Sequence, residues 1–362
     1  MTESIEVKKP VPGTGSETKL MKAIVRTRFG PPDALQLIEV ERPVPDKVRG
    51  VLVKIYAAGV NPADRYDMKG PPFLLRLFLP LFKLNMGVFR PKNPGLGSDA
   101  SGRVEAVSDA VTKFKPGDEV FGSCKGSYAE YAVAREDRLV LKPSNASFDE
   151  AAAVPIAAIT ALQALRDHGH IQSGQKVLVN GAGGGVGTYA VQIAKSFGAE
   201  VTAVTTTENL DLVRSLGADH VIDYTKDDFT KNGERYDLIC DIAATRGFSD
   251  YKRALTTNGT CVMVGSKGNV IIGLLSFLLL RPILSGGRKF RFFIAKINQK
   301  DLNILKELLE TGKVGSVIDG RYKLNEIGEA MRRIEEGHAR GKVVITVASE
   351  TKSNVPSAKR WS

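Results

Sequence analysis

The stretch Lys176-Val-Leu-Val-Asn-Gly-Ala-Gly-Gly-Gly-Val-Gly187 decides the fold. Val177 to Asn180 reads as a short apolar strand, and Gly185 to Phe197 reads as a helix whose apolar stripe includes Val191, Ile193 and Ala194. Between them lies a glycine-rich turn: Gly181, Ala182, Gly184, Gly185, Val186 and Gly187. Its spacing is A-x-G-x-x-G from Ala182, or G-x-x-G-x-x-G from Gly181, rather than strict G-x-G-x-x-G. A dinucleotide's pyrophosphate needs close backbone approach, free N–H donors and a positive helix end, and glycines at a strand-to-helix turn supply all three.

The rhythm continues downstream. Val201 to Thr205, Val221 to Asp223, Leu238 to Cys240 and Cys261 to Val264 read as strands, with a helix from Asn209 to Leu216. Strand–helix alternation predicts an α/β fold, a Rossmann doubly wound parallel sheet. Upstream the pattern differs. The runs 22–26, 35–39, 51–56, 102–107, 116–121 and 128–133 are short and β-rich, separated by Gly, Pro and Asp, and predict a compact, mostly β domain with a twisted, partly closed sheet. Asp149 to Arg166 reads as helix, with Ser147 as N-cap and a break at Pro155. After 296 come a helix (300–311), a second helix (325–337) and a strand (343–347), assigned to the first domain because the last strand resembles its short sheet elements.

The expected organisation is a disordered tail over 1–20, the first part of the β domain over 21–147, the nucleotide-binding domain over 148–296, a return to the β domain over 297–348, and a second tail over 349–362. At 362 residues the chain exceeds the roughly 250–300 at which one core stops growing, which agrees with two domains. The net charge of +11 suits phosphate-bearing ligands, nucleic acid or anionic membrane, and equally a plain basic surface. Cys124, Cys240 and Cys261 are scattered, without the paired spacing of a disulfide scaffold or structural zinc site, and read as reduced thiols of a cytoplasmic protein.

Cofactor choice turns on Val204-Thr-Thr-Thr-Glu-Asn209. An Asp or Glu at this strand end would hold the ribose hydroxyls of NAD and repel a 2′-phosphate. Thr205, Thr206 and Thr207 instead offer hydroxyls to that phosphate; Glu208 argues against it, and Tyr224 and Lys226 stand after the next strand, on the same side. NADPH is the predicted cofactor.

Several further motifs accompany the glycine turn: Ala58-Gly-Val-Asn-Pro-Ala-Asp64, Gly95-Leu-Gly-Ser-Asp-Ala-Ser-Gly102, Phe114-Lys-Pro-Gly-Asp-Glu-Val-Phe121, Gly126-Ser-Tyr-Ala-Glu-Tyr131, the run from Ala151 to Leu162, Gly217-Ala-Asp-His-Val-Ile-Asp-Tyr224 and His338-Ala-Arg-Gly-Lys342. With these, the chain resembles the zinc-independent, zeta-crystallin-like quinone oxidoreductases of the medium-chain dehydrogenase/reductase superfamily, over roughly 21–347. The resemblance implies a GroES-like catalytic domain and a homodimer. It implies Asn61 and Asp64 beside nicotinamide ribose and substrate, with Tyr66 as a further candidate proton donor or orienting group. It implies Thr160 and Lys342 on the cofactor, while Val264, Gly265 and Ser266 end a strand at the C-terminal edge of the sheet and should approach the nicotinamide. Asn61 also reads as a turn residue before Pro62, and Thr160 as a helix threonine bonded to its own backbone. Zinc-dependent relatives carry Cys where Asn61 stands and Gly-His-Glu where Gly97-Ser98-Asp99 stands, so no metal is expected.

Without a Lewis acid an alcohol is a poor hydride donor, whereas a quinone or α,β-unsaturated carbonyl needs only orientation and desolvation. A small lipophilic, electron-poor acceptor is therefore predicted. An enoyl-thioester reductase is the alternative, and an NADPH-regulated RNA- or partner-binding protein is the alternative of another class; no stacking-aromatic motif points to nucleic acid. Two apolar, basic stretches, 71–92 with Phe73-Leu-Leu-Arg-Leu-Phe-Leu-Pro-Leu-Phe82 and 270–296 with Ile271-Ile-Gly-Leu-Leu-Ser-Phe-Leu-Leu-Leu280, are too interrupted to span a bilayer. They are expected to frame the substrate mouth and to touch an anionic membrane, the plain alternative being core helix or subunit contact.

Overall fold

A computed structural model describes residues 19–45, 50–70, 91, 94–264, 286–337 and 339–348. Two sheets organise them. The parallel sheet is built from β8 (Lys176–Asn180), β9 (Glu200–Thr205), β10 (His220–Asp223), β11 (Tyr236–Asp241), β12 (Leu255–Met263) and β13 (Lys289–Phe292), in the order β10-β9-β8-β11-β12-β13. This is the doubly wound order, with its switch point between β8 and β11. β8 and β11 are buried almost throughout, as a sheet covered on both faces requires.

Helices α2 (Phe148–Ala152), α3 (Pro155–Gln163) and α4 (Gly185–Ser196) follow the predicted pattern. Ser147 caps α2 reciprocally: its hydroxyl accepts from the Glu150 N–H at 3.2 Å while Glu150 accepts from the Ser147 N–H at 2.8 Å. Pro155 opens α3, where its missing N–H costs nothing. Ile159 and Leu162 of α3 and Val191 and Ile193 of α4 bury one face of the sheet. α5 (Leu210–Ser215) and α6 (Phe248–Ala254) complete this part, with Tyr251 of α6 in the core of the other face beside Phe229, Leu255 and Phe290.

The second sheet has the order β14-β15-β3-β4-β5-β7, with β6 also paired to β3. Its strands are β3 (Gly50–Val60), β4 (Asp99–Val107), β5 (Glu119–Ser123), β6 (Tyr131–Arg135), β7 (Leu139–Leu141), β14 (Ile318–Lys323) and β15 (Lys342–Thr346). β1 (Leu20–Arg26) and β2 (Leu35–Glu41) form an antiparallel pair beside it. Helix α1 (Pro62–Lys69) follows β3 directly, and α8 (Ile327–Glu336) packs Ala330 and Met331 onto Met68, Val343 and Ile345.

The C-terminal stretch divides. β14 and β15 join the second sheet, running parallel to each other, and α8 packs on it, whereas Leu302, Leu305 and Leu309 of α7 (Gln299–Glu310) share one core with α3 and α4. β7, β13 and β14 were not expected. β7 is three residues long, while Lys-Phe-Arg-Phe and Ile-Asp-Gly-Arg-Tyr-Lys carry charges where an apolar run would announce a strand. Of the segment 270–296, residues 286–296 are described, and 289–292 are the outer strand of the parallel sheet rather than part of a helix. The rest of it, most of 71–92, and most of both expected tails lie outside the described residues. Among the described residues no helix is long and apolar enough to cross a membrane.

Candidate active site

The glycine turn lies at the C-terminal end of β8, beside the switch point. The N–H groups of Gly181 and Ala182 both point at the Val204 carbonyl of β9, at 3.1 and 3.0 Å. Gly181 has φ of +87°, a left-handed backbone that suits glycine. At Gly187 a side chain has no room: an added Cβ would run into the Gly181 carbonyl oxygen and stand 2.7 Å from the Ala182 backbone. The turn thus packs tightly on itself, with the Gly184 N–H on the Gly181 carbonyl at 3.3 Å, and leaves the first turn of α4, from Gly185 onward, to present its N–H groups.

A second site is made of side chains. Asn61 precedes α1, and its backbone N–H donates to Asp64 Oδ2 at 2.8 Å. The Asn61 side chain turns away: Nδ2 donates to Asp99 Oδ2 at 2.9 Å, and Oδ1 accepts from the Lys342 ammonium. Lys342 also donates to the Val60 carbonyl at 3.0 Å. Tyr128 donates its hydroxyl to Asp64 Oδ2 at 2.7 Å, and the Ile156 N–H of α3 donates to Asp99 Oδ2 at 3.0 Å. All five side chains are buried, with Asn61 2% and Lys342 3% exposed.

Burial sets the electrostatics. It raises the Asp64 carboxyl to about 7, with Asp99 adding to the rise and the Tyr128 and Asn61 hydrogen bonds and Lys342 opposing it. It raises Asp99 to about 6 against Lys342, Asn61 and Ile156. It lowers the Lys342 ammonium, which Asp99 and Asp64 push back up. Cys124, next to this group, is pushed up to about 12 by burial and by Asp99, and is no nucleophile.

The two sites share a wall. The Gly341 N–H donates to the Gly183 carbonyl at 2.9 Å, and Gly184 and Gly341 form a parallel bridge. The stem of Lys342 crosses Gly185: a Cβ added there would stand 3.0 Å from Lys342 Cδ. One side chain therefore reaches from the glycine turn to Asn61.

Comparison with known proteins agrees with this pairing of parts. Residues 47–144 match the family model described as alcohol dehydrogenase GroES-like domain, and residues 216–345 match the one described as zinc-binding dehydrogenase. A 2-methylene-furan-3-one reductase of Solanum lycopersicum is 36% identical over 344 residues, 90% of this chain and 79% of that protein. The chain belongs to the medium-chain dehydrogenase/reductase superfamily, in its quinone oxidoreductase-like branch. A chloroplastic NADPH-dependent alkenal/one oxidoreductase of Arabidopsis thaliana is 34% identical, covering 92% of this chain and 82% of its own length. The solved quinone oxidoreductase of Coxiella burnetii superposes with a TM-score of 0.77 at 29% identity, covering 91% of this chain and all of that one.

Within this medium-chain oxidoreductase the expected site residues are only partly brought together. Asn61, Asp64 and Lys342 meet in the buried cluster. Tyr66 does not: the residue is 52% exposed and its ring carries the Arg65 guanidinium at 5.1 Å. Thr160 donates its hydroxyl to the Ile156 carbonyl at 2.6 Å, the helix-internal bond of its plainer reading. Around the end of β9, Thr205 is buried against the glycine turn, Thr206 accepts from Asn209 at 3.1 Å, and Thr207 donates to Asp223. Tyr224 is half exposed, with its N–H on the Thr205 carbonyl at 3.0 Å. Val264 follows β12, its N–H on the Asp241 carbonyl at 2.8 Å; Gly265 and Ser266 lie outside the described residues.

Asp99, Tyr128 and Arg340 were not singled out by sequence, although each stands in a motif quoted above. The Arg340 guanidinium donates to Asn209 Oδ1 at 2.8 Å and to the Glu208 carbonyl, and so lies over the turn that follows β9. Asp223 was missed too. Hydrogen bonds from Thr207 and Thr225 hold its carboxyl down at about 2, and Lys226 stands 3.7 Å away.

Proposed function

We propose that this chain transfers hydride from NADPH to a small lipophilic quinone or α,β-unsaturated carbonyl compound, without zinc. The wall shared by the glycine turn and the buried polar cluster carries the reading. A cofactor seated on the turn reaches the cluster without leaving the surface of one side chain. The relatives, by their names, reduce an enone, act on alkenals and enones, and act on quinones.

The cradle fits a dinucleotide. Gly185, Val186 and Gly187 would hold the pyrophosphate by backbone N–H groups at the start of a helix, on a turn shaped by Gly181, Ala182 and Gly184. Thr205, Thr206, Tyr224 and Arg340 would meet the adenosine ribose, and Thr160, Val264 and Lys342 the nicotinamide half. When bound, the reduced nicotinamide supplies hydride. The cluster fixes the acceptor against it, and the buried surroundings exclude water.

Arg340 supports NADPH over NADH, because a guanidinium over the β9 turn is suited to a phosphate fork. The nearby Asp223 opposes a phosphate, but Thr207, Thr225 and Lys226 already satisfy it. A zinc ion does not fit the cluster. Where zinc-dependent relatives place a cysteine ligand, Asn61 is bonded to an ammonium, and among the described residues no three His, Cys, Asp or Glu side chains are placed to hold a metal.

Three buried free cysteines suit a reducing compartment, of which the cytoplasm is the proposed one. The outer edge of β13, unpaired among the described residues, offers a second copy a place to extend the sheet. The apolar basic stretches 71–92 and 270–296 would touch anionic membrane, and co-sedimentation with anionic liposomes tests this.

The deciding experiment follows reduced-nicotinamide absorbance with NADPH or NADH, plus 1,2-naphthoquinone or an alkenal, with and without chelator. Chelator-insensitive turnover, faster with NADPH, is expected. Faster turnover with NADH overturns the cofactor assignment, loss with chelator overturns metal independence, and turnover of an enoyl thioester alone overturns the acceptor class.

A further inference from the structure

Lys342 holds an unusual combination of contacts. Two of its three N–H bonds are committed, to the Val60 carbonyl and to Asn61 Oδ1, and the third has no protein acceptor among the described residues. Asp99 faces it from β4 and Asp64 from α1, while Gly185 of α4 underlies its stem. Asn61 cannot exchange its Oδ1 and Nδ2 without losing both the Lys342 and the Asp99 bonds. An ammonium this deeply buried is costly to keep unless it is paired or used. Two carboxyls pair it in charge, yet neither takes a hydrogen bond from it.

We propose that Lys342 is a catalytic residue: its third N–H donates to the carbonyl oxygen of the acceptor, the electrophilic part that a metal plays in zinc-dependent relatives. This rests on the hydride-transfer reading. The acceptor takes up one hydrogen with its two electrons at carbon, its π electrons move onto oxygen, and the cofactor is left oxidised. Lys342 meets the negative charge on oxygen and keeps its own proton; the enolate takes the proton that completes the product from solvent as it leaves the site. Such donors act where charge develops, so an acceptor that spreads its own negative charge, such as a quinone, needs Lys342 less than a simple alkenal does.

The test uses 4-nitrophenol as an oxyanion probe, titrated by its phenolate absorbance in the presence of saturating NADP⁺. Wild type, Lys342→Met and Lys342→Arg are compared, with 4-nitroanisole as the uncharged control. The wild type is expected to lower the pKa of bound nitrophenol by about one unit or more, as a cation within hydrogen-bond reach does. Lys342→Arg should retain part of that shift and Lys342→Met none. Equal shifts in wild type and Lys342→Met overturn the proposal. So does wild type that fails to bind nitrophenol, or binds nitroanisole equally well; that arm stands even if the variants do not fold. In turnover, Lys342→Met should slow alkenal reduction by about 10²–10³-fold and quinone reduction by a smaller factor; equal slowing overturns the proposal. Wild type that reduces neither acceptor would break the reading of function, whereas the nitrophenol titration judges Lys342 by itself.

Discussion

The glycine turn and the buried cluster are built by opposite means. The turn uses backbone from one run of seven residues, 181–187, and contains no titrating group. The cluster uses side chains from α1 and its N-cap, β4, β15 and the segment before β6, with one backbone carbonyl of β3, and its longest bond joins residues 282 positions apart. The first is rigid, local and insensitive to pH. The second depends on the whole sheet being closed and carries two carboxyls that ionise near neutrality. On the proposed reading, the pyrophosphate would sit where nothing titrates and the acceptor where two carboxyls do.

The contrast can be broken at either end. The largest effect is expected at Gly187→Ala, where the new methyl meets backbone that cannot yield. An overpacking cost of about 3 kcal/mol corresponds to roughly 100-fold weaker NADPH binding, measured by quenching of protein or nicotinamide fluorescence. An unchanged dissociation constant would remove the turn from the cofactor site. Next is Tyr128→Phe, which strips Asp64 of its hydroxyl donor. It should lower stability by about 2 kcal/mol in urea denaturation, while leaving NADPH binding within about twofold.

The pH response sharpens the contrast further. A carboxyl raised by burial binds its proton more tightly folded than unfolded, so its stabilising contribution is full below about pH 4 and is lost as pH climbs through about 6 to 7. The melting temperature should fall across that window. Asp64→Asn should flatten the fall by a few degrees, the size of about 1 kcal/mol. A slope unchanged in the variant would show that Asp64 is ionised throughout.

Arg340→Ala should narrow the preference for NADPH over NADH by about tenfold, the worth of one charge-assisted hydrogen bond. The smallest effect is expected for Tyr66→Phe. An exposed hydroxyl outside the cluster should change turnover by less than about twofold, and a tenfold loss would return Tyr66 to the active site.

The same contrast explains what could be read from sequence. The parallel sheet, the split of 148–163 at Pro155 and the glycine turn were legible because each is written in a few adjacent residues. Asn61 and Asp64 were reached only through the resemblance, on the motif Ala58 to Asp64, since the residues alone also allow Asn61 as a turn residue before Pro62. Asp99 and Tyr128 were not, since no local pattern says that a carboxylate in β4 and a phenol on another segment converge on Asn61. The threonines after β9 were read as free donors because the sequence does not show that Asp223 of the next strand takes the Thr207 hydroxyl. β13 and β14 stayed hidden because edge strands carry charge.

The position of β15 has a consequence for how the protein is made. Residues 343–346 pair with 57–60 and lie between β3 and β14, inside the sheet rather than at its rim. During synthesis the parallel sheet up to β13 has all its strands once residue 292 has emerged, but the antiparallel sheet lacks an interior strand until residues 342–346 are released. The N-terminal half must therefore wait, with the edge of β3 open, while some 280 residues are translated. Lys342 is the first residue of that closing strand, so the ribosome delivers the polar cluster's cation last.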